Sequence, residues 1–353
     1  MLRNRLKVFC AAVLCACALL SGGVGRADDV EEFYRGKTLT FLVGGEAGGA
    51  YDVYARLLSR HIGRYIPGNP RLIMQYMPGA GSVIATNHLF NVAAQDGTVI
   101  LAPNRTAPFA PYLGQKGARF DPVQIHWLGS LNNEVGVMQV IGSHPVKTIA
   151  DARRTEVIVG STSPLTDSEE YPTLLNNTLG TKFKLVRGYS SIEAIQIALE
   201  RGEINGQENS FSGMAQRFPD WRTKMSILTQ LSLAKHAAMP DVPLVFDFIK
   251  PEYVTKGMTV SDVENYWRII LTQQIVGRPY GLGPKVPAER VEALRAAFRS
   301  AVRDPKFMSE AEALRLELYP LDGQNIQDRI AKVAAQPASV IERLQQMIVY
   351  KGD

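Results

Sequence analysis

Thiols are nearly missing from this chain of 353 residues: its three cysteines, Cys10, Cys15 and Cys17, all fall within the first 17 positions. Beyond them no disulfide framework can form, so the core must stand without covalent staples. The five histidines (His61, His88, His126, His144, His236) contain no His-x-x-x-His pair, and with no thiolate beside them the usual zinc ligand sets are absent. No Gly-x-Ser-x-Gly elbow occurs, which removes the turn that presents a hydrolase serine. No run reaches roughly 18 unbroken apolar residues, the length a membrane-spanning helix needs. Low-complexity tracts are lacking too, and a hydrophobic content of 46% argues for a packed chain of one large domain or two ordinary ones.

The first residues have the order of an export leader. Arg3, Arg5 and Lys7 precede an apolar run from Val8 to Leu20, followed by Gly25-Arg26-Ala27, so residues 1–27 read as a signal peptide cut after Ala27. A lipoprotein variant, suggested by Leu14 three residues before Cys17, is the lesser alternative. Removing the leader takes Lys+Arg from 39 to 35 against 34 acids, so the formal charge drops from +5 to +1. No basic stripe remains to argue for nucleic acid.

After the leader, strand-like and helical patterns alternate. Segments 38–43, 71–76 and 97–102 read as strands, with helices over 52–62 and 82–92 between them. That spacing argues for parallel strands joined by helical crossovers. The pattern recurs with strands at 156–161 and 182–186, helices at 168–179 and 191–202, and a strand with its exit loop over 203–210. The changeover lies near 127–142, and the chain is helical from 286 onward, with "DPKF" at 304–307 breaking and restarting a helix. The expected fold is α/β and two-lobed, with a mostly parallel sheet in each lobe and a hinged cleft. Residues 28–137 plus 276–353 are assigned to one lobe and 138–275 to the other. Trp127, Trp221 and Trp267 are expected in core or hinge packing rather than as ligand platforms.

Two glycine-rich turns lead from strands into helices: "VGGEAGGAYD" (43–52) and "MPGAGSVIA" (77–85). Such turns aim backbone N–H groups from the positive end of a helix, which suits anions. Gly44 and Gly49 have P-loop spacing, but Ala50 and Tyr51 stand where lysine and a hydroxyl are required. The dinucleotide fingerprint fails on its glycine offsets. A third turn, "GSTSPLTDSEE" (160–170), repeats the arrangement with hydroxyls, with Thr166 or Ser168 as helix cap, and Ser82 is the expected cap of the second helix. One such loop is an ordinary helix start. Three at the carboxyl ends of strands suit a small carboxylate held by N–H and hydroxyl donors with little fixed positive charge. Asp52 is expected to order the first loop and its helix turn rather than to act as an acid/base.

At these residues the chain resembles the periplasmic substrate-binding receptors of tripartite tricarboxylate transporters, the Bug family of solute-binding proteins. "VGGEAGGAYDVYARLL" aligns without a gap to the family's first loop, with Gly48, Gly49, Asp52, Ala55 and Arg56 matching. "MPGAGSVIA", Asp96-Gly97, Tyr189, Gly202, "AAMPDVPLV" (237–245) and "GLGPKVPAERVEALRAAF" follow in the family's order. The resemblance implies a Venus-flytrap receptor with no cofactor and no catalytic residue, acting as a monomer in the periplasm. Its partners would be a small organic carboxylate and the membrane components of a tripartite tricarboxylate-type transporter. Carried over, the ligand contacts are Gly48, Gly49, Ala50, Tyr51, Asp52, Gly79, Ala80, Gly81 and Ser82. From the other lobe come Ser161, Thr162, Ser163, Pro164, Tyr189, Asn209 and Ser210.

The chain departs from the family pattern where Gly44, Gly45 and Ala47 replace prolines, which loosens the first loop. Glu46 brings a negative charge that has to face solvent. Tyr51 replaces a small hydroxyl residue, and Asn209 stands where Asp is frequent. Together these two favour a neutral-bodied, for instance aromatic, carboxylic acid over an amino acid. A ligand sensor for a signalling partner is the first alternative function. An enzyme on a similar fold is the second, but it lacks a visible nucleophile or metal set.

Overall fold

A computed structural model describes residues 24–162 and 166–350. Most of the expected leader, with all three cysteines, lies outside the described residues, as do Ser163 and Pro164. The described chain opens with helix α1 (Val24–Tyr34), strand β1 (Thr38–Val43), α2 (Ala50–Ile62), β2 (Arg71–Tyr76), α3 (Val83–Asn91), β3 (Val99–Ala102) and β4 (His126–Ser130). A second series follows: β5 (Gly136–Ile141), α4 (Ile149–Ala152), β6 (Val157–Gly160), α5 (Asp167–Leu179), β7 (Phe183–Val186) and α6 (Ile192–Glu200). It continues with β8 (Gly206–Ser210), α7 (Phe211–Arg217), α8 (Trp221–Lys224), β9 (Met225–Leu231) and α9 (Val260–Ile275). The chain closes with β10 (Pro279–Leu282), α10 (Ala288–Ala301), α11 (Pro305–Ala313), β11 (Leu321–Asp322), α12 (Gly323–Ala334) and α13 (Ala338–Ile348).

Local chemistry accounts for these elements. Strand β1 buries Leu39, Phe41, Leu42 and Val43 on both of its faces, as a central strand between helical layers must. In α2, Ala55, Leu57, Leu58 and Ile62 are buried, while Arg56 and Arg60 face solvent. Helix α5 stops at Gly180, whose φ of 66° is cheap only for glycine. Helix α9 starts with a reciprocal cap: the Asp262 N–H donates to Thr259 Oγ1 and the Thr259 N–H to Asp262 Oδ2. Trp127 and Trp267 are fully buried, and Trp221 is half-buried against Phe211.

Two sheets result. The first has the order β11-β4-β10-β3-β1-β2 and the second β7-β6-β8-β5-β9. β1 runs parallel to β2 and β3, and β6 runs parallel to β7 and β8. The remaining pairings, β10 with β3 and β4, β11 with β4, and β5 with β8 and β9, are antiparallel. Each sheet is therefore mixed rather than mostly parallel. The antiparallel strands include those beside the two crossings: the chain leaves the first sheet through β4 and enters the second through β5, then returns through α9 and β10.

The two crossings are bound to each other. The Leu131 N–H donates to the Arg278 carbonyl at 3.1 Å, Gly277 N–H to Asn132 at 3.0 Å, and Glu134 N–H to Gln274 at 2.8 Å. A methyl group at Gly277 would sit 2.8 Å from the Asn132 carbonyl oxygen, so this close approach needs glycine. Arg278 and Glu134, both buried, pair at 2.8 Å across the same junction. The Arg278 guanidinium also lies over the rings of Tyr51 and Tyr54, at 4.5 and 5.0 Å. Toward the end of the chain α12 packs on β4, whereas α13 packs on α5. There Asn177 Nδ2 donates to the Met347 carbonyl at 2.7 Å, while Gln345 Nε2 reaches back to the Tyr112 carbonyl at 2.8 Å.

Candidate ligand-binding cleft

A cleft of about 510 Å³ lies between the two sheets. From the first unit its walls include Tyr51 after β1, Ala80 and Gly81 after β2, and Asn104, Arg105 and Thr106 after β3. From the second come Thr162 and Thr166 to Ser168 after β6, Ile192 after β7, and Glu208 to Ser210 at the end of β8. All six segments sit at the carboxyl ends of parallel strands, where open α/β sheets leave room for a ligand.

The first loop owes its shape to Asp52. This carboxylate is buried and accepts from the Gly48 N–H at 2.7 Å, Arg56 Nε at 2.9 Å and Tyr76 Oη at 2.8 Å. Burial pushes the Asp52 pKa up, but the Gly48 amide, Arg56 and Tyr76 outweigh it and hold the group below the ordinary carboxylate range. Asp52 orders the loop and its helix turn, as expected, and does not border the cleft. Replacing Asp52 with asparagine should cost about 1.5–3 kcal/mol at neutral pH, the worth of hydrogen bonds to a charged group. Because its folded pKa is lowered, that stabilisation is present above the unfolded value and lost as pH falls through the folded one. Urea unfolding from pH 7 downward should therefore show the gap between the two proteins narrowing as the solution is acidified below the ordinary carboxylate range.

Three loops are wired together above the first sheet. Ser82 Oγ donates to the Gly44 carbonyl at 2.9 Å and accepts the Asn104 N–H at 2.9 Å. Ser82 holds the cap position of α3, as expected, but at a φ of 72° its hydroxyl makes no cap hydrogen bond and bridges the loops instead. Tyr51 Oη donates to Asn104 Oδ1 at 3.0 Å and accepts the Arg105 N–H at 3.2 Å, so the tyrosine positions the third loop. Glu46 is exposed, as the sequence required. Across the cleft the hydroxyls of Thr162, Thr166 and Ser168 form a triangle with edges of 3.0 to 3.2 Å. Thr166 holds the cap position of α5, and its hydroxyl belongs to this triangle.

The cleft also carries fixed charge, which the glycine and hydroxyl loops did not announce. Arg105 enters the cleft and pairs with Asp167, a residue of the opposite unit, so a fixed cation is present after all. Burial works against its charge, but nearby Tyr51, Glu134, Tyr171 and Glu208 outweigh that and raise its pKa. Glu208 is 2% exposed, and burial, with Glu134 and Glu170 nearby, pushes its pKa up to about 8 in spite of Arg105. Burial thus favours the neutral form of the Glu208 carboxyl beside the Arg105–Asp167 pair.

Of the other residues expected at the site, Tyr51, Ala80, Gly81, Thr162, Asn209 and Ser210 line the cleft. Gly48, Gly49, Ala50 and Gly79 are exposed and outside its lining. Ser161 is fully buried beneath the wall, and its hydroxyl has no partner among the described residues. Tyr189 packs on the apolar cluster of the second unit, and Ile192 borders the cleft in its place. Asn209 and Ser210 are the last residues of β8 rather than an exit loop, and Ser210 Oγ accepts the Gly213 N–H to cap α7. Arg105, Asp167 and Glu208 are the residues missed. The loop after β3 stands where the other two glycine loops stand, and that position was the available signal.

No family model and no curated protein matches the sequence. Solved structures match its fold. A TctC solute binding protein from Polaromonas superposes with a TM-score of 0.66 at 17% identity, covering 88% of this chain and 99% of that one. The periplasmic binding protein BugD gives 0.62 at 18% identity, covering 88% and 98%. MatC from Rhodopseudomonas palustris, with bound malate, gives 0.61 at 18% identity, covering 89% and 99%. Over most of its length this chain is thus similar in fold to the TctC and Bug periplasmic solute-binding proteins, the family whose loop motifs its own resemble.

Proposed function

We propose that this protein is a periplasmic receptor that captures a small organic carboxylate and hands it to a tripartite tricarboxylate-type membrane transporter. The observation that carries the reading is the cleft itself, walled from both sheets at the carboxyl ends of six parallel strands and holding Arg105 among hydroxyl and amide donors. The binding of malate by MatC supports the ligand class. The leader-like first 27 residues support export. In this reading the halves divide near residues 137 and 276, with the last helix, α13, laid across onto the second half, and the protein acts as a monomer that closes over the guest without bond chemistry. Closure is a population shift whose size is set by contacts made only in the closed state. Contacts from Tyr51, Ala80, Gly81, Thr162, Asn209 and Ser210 belong to the same proposal.

Differential scanning fluorimetry against mono- and dicarboxylates, with amines and sugars as controls, tests it. At least one carboxylate should raise the melting temperature by several degrees, as ligand linkage requires at concentrations far above Kd. A flat response across all acids would overturn the reading. A shift confined to acidic amino acids would overturn the preference for a neutral-bodied acid. Native mass spectrometry of protein drawn from its own periplasm would identify the guest.

A further inference from the structure

The cleft leaves unpartnered polar atoms of two kinds. Among the described residues, Arg105 Nε and Asn209 Nδ2 are buried donors without a partner, while Asp167 Oδ1 and Glu208 Oε1 are buried oxygens without one. Asp167 itself occupies the Arg105 guanidinium, reaching it from the opposite unit. A guest offering only acceptors would satisfy the donors but displace Asp167 from the guanidinium that pairs with it, and an uncompensated buried charge is costly.

We propose that Arg105 and Asp167 form an exchangeable pair that selects the ligand: a guest carboxylate takes the place of Asp167 on Arg105, and Asp167, with Glu208, receives a hydrogen-bond donor carried by the same guest. The inference rests on the receptor reading and narrows it to carboxylic acids that bear a donor: a hydroxyl on the neutral-bodied acid that Asn209 favours, or an ammonium for which Asp167 supplies the charge partner that Asn209 does not. The exchange is balanced in charge, since Arg105 keeps a carboxylate throughout. The freed Asp167 remains in the first turn of α5, where a negative charge is favoured. Discrimination comes from Asp167, because an acid without a donor leaves that carboxylate unpaired.

Isothermal titration with two matched series tests the pair. One is 3-phenylpropanoate, 3-phenyllactate and phenylalanine; the other is succinate, malate and aspartate. In each, the frame is constant and the donor is nothing, a hydroxyl or an ammonium. For the wild-type protein the donor-bearing acids of at least one series should bind about tenfold or more tighter than the bare acid. The hydroxyl and ammonium arms then separate the two donor chemistries. With Asp167→Asn the bare acid should gain about tenfold and the preference should shrink, because the internal competitor is gone. Asp167→Ser, which keeps a hydroxyl at the start of the helix, is the second variant, and thermal melts check that both fold. Arg105→Met should weaken every acid by about a hundredfold. Binding of acids with the same ranking in wild type and both Asp167 variants would overturn the pair and leave the receptor reading intact. Heat with no acid of either series, in any variant, would overturn both.

Discussion

Replacing Arg278 with methionine is expected to lower the unfolding free energy by about 3–5 kcal/mol, the usual cost of stranding one partner of a buried ion pair. The carboxylate left behind is Glu134, 2% exposed and held by Asn132 Nδ2 at 3.0 Å and Ser212 Oγ at 3.3 Å. Neutral donors do not replace the guanidinium, and the variant also loses the stacking over Tyr51 and Tyr54. Changing both residues, Arg278→Met with Glu134→Gln, should recover most of the loss, because no buried charge then lacks a partner. Urea unfolding of the two singles and the double closes the cycle. A loss below about 1 kcal/mol for Arg278→Met would mean that the pair behaves as a surface bridge. Binding should weaken as well, since Tyr51 holds the Arg105 loop and rests against Arg278.

Raising the pH from about 6.5 to about 8.5 is expected to destabilise the protein, counter to a simple picture of carboxylates that prefer to be charged. Burial pushes Glu170 up to about 7 and Glu208 up to about 8 from an ordinary value of 4.5. A raised folded pKa gives stability that is complete below the unfolded value and is lost as pH rises through the folded one. The slope for one such group approaches about 1.4 kcal/mol per pH unit. His126 and His144, whose pKa values burial lowers from 6.5, act in the opposite sense below that pH, so the clean window opens above it. Chemical denaturation at pH 6.5, 7.5 and 8.5 should show the decline. Glu208→Gln, which cannot ionise, should flatten its upper part. An unchanged slope in that variant would place the Glu208 carboxyl in water.

The parts of the site legible in the sequence were those written in local chemistry. Glycine and hydroxyl turns after β1, β2 and β6 announce themselves because a helix start constrains neighbours in the chain. Arg105 was not legible because nothing in "APNRTAP" says that its arginine crosses to Asp167, 62 positions later. Glu208 was hidden for a different reason: an acid in a strand reads as a surface residue until the helix bearing Tyr171 is known to cover it. The same limit applies to the fold. Both α/β series followed from periodicity, whereas the antiparallel strands β5 and β10 depend on pairings between distant segments that leave no local trace. Tyr189, carried over from the family motif, shows that an aligned position does not fix where a side chain points.

Helix α13 has a mechanical consequence. Because it follows α12, which rides on β4, and lies on α5, the backbone passes between the halves a third time after the two hydrogen-bonded crossings. Two adjacent connections alone form a pivot; a third, set apart, works as a check strap. In a receptor that opens and closes as proposed, it would limit how far the halves swing, through the contact it makes near the Asn177 end of α5. Deleting residues 336–353 should then widen the resting gape, visible as a larger radius of gyration in solution scattering.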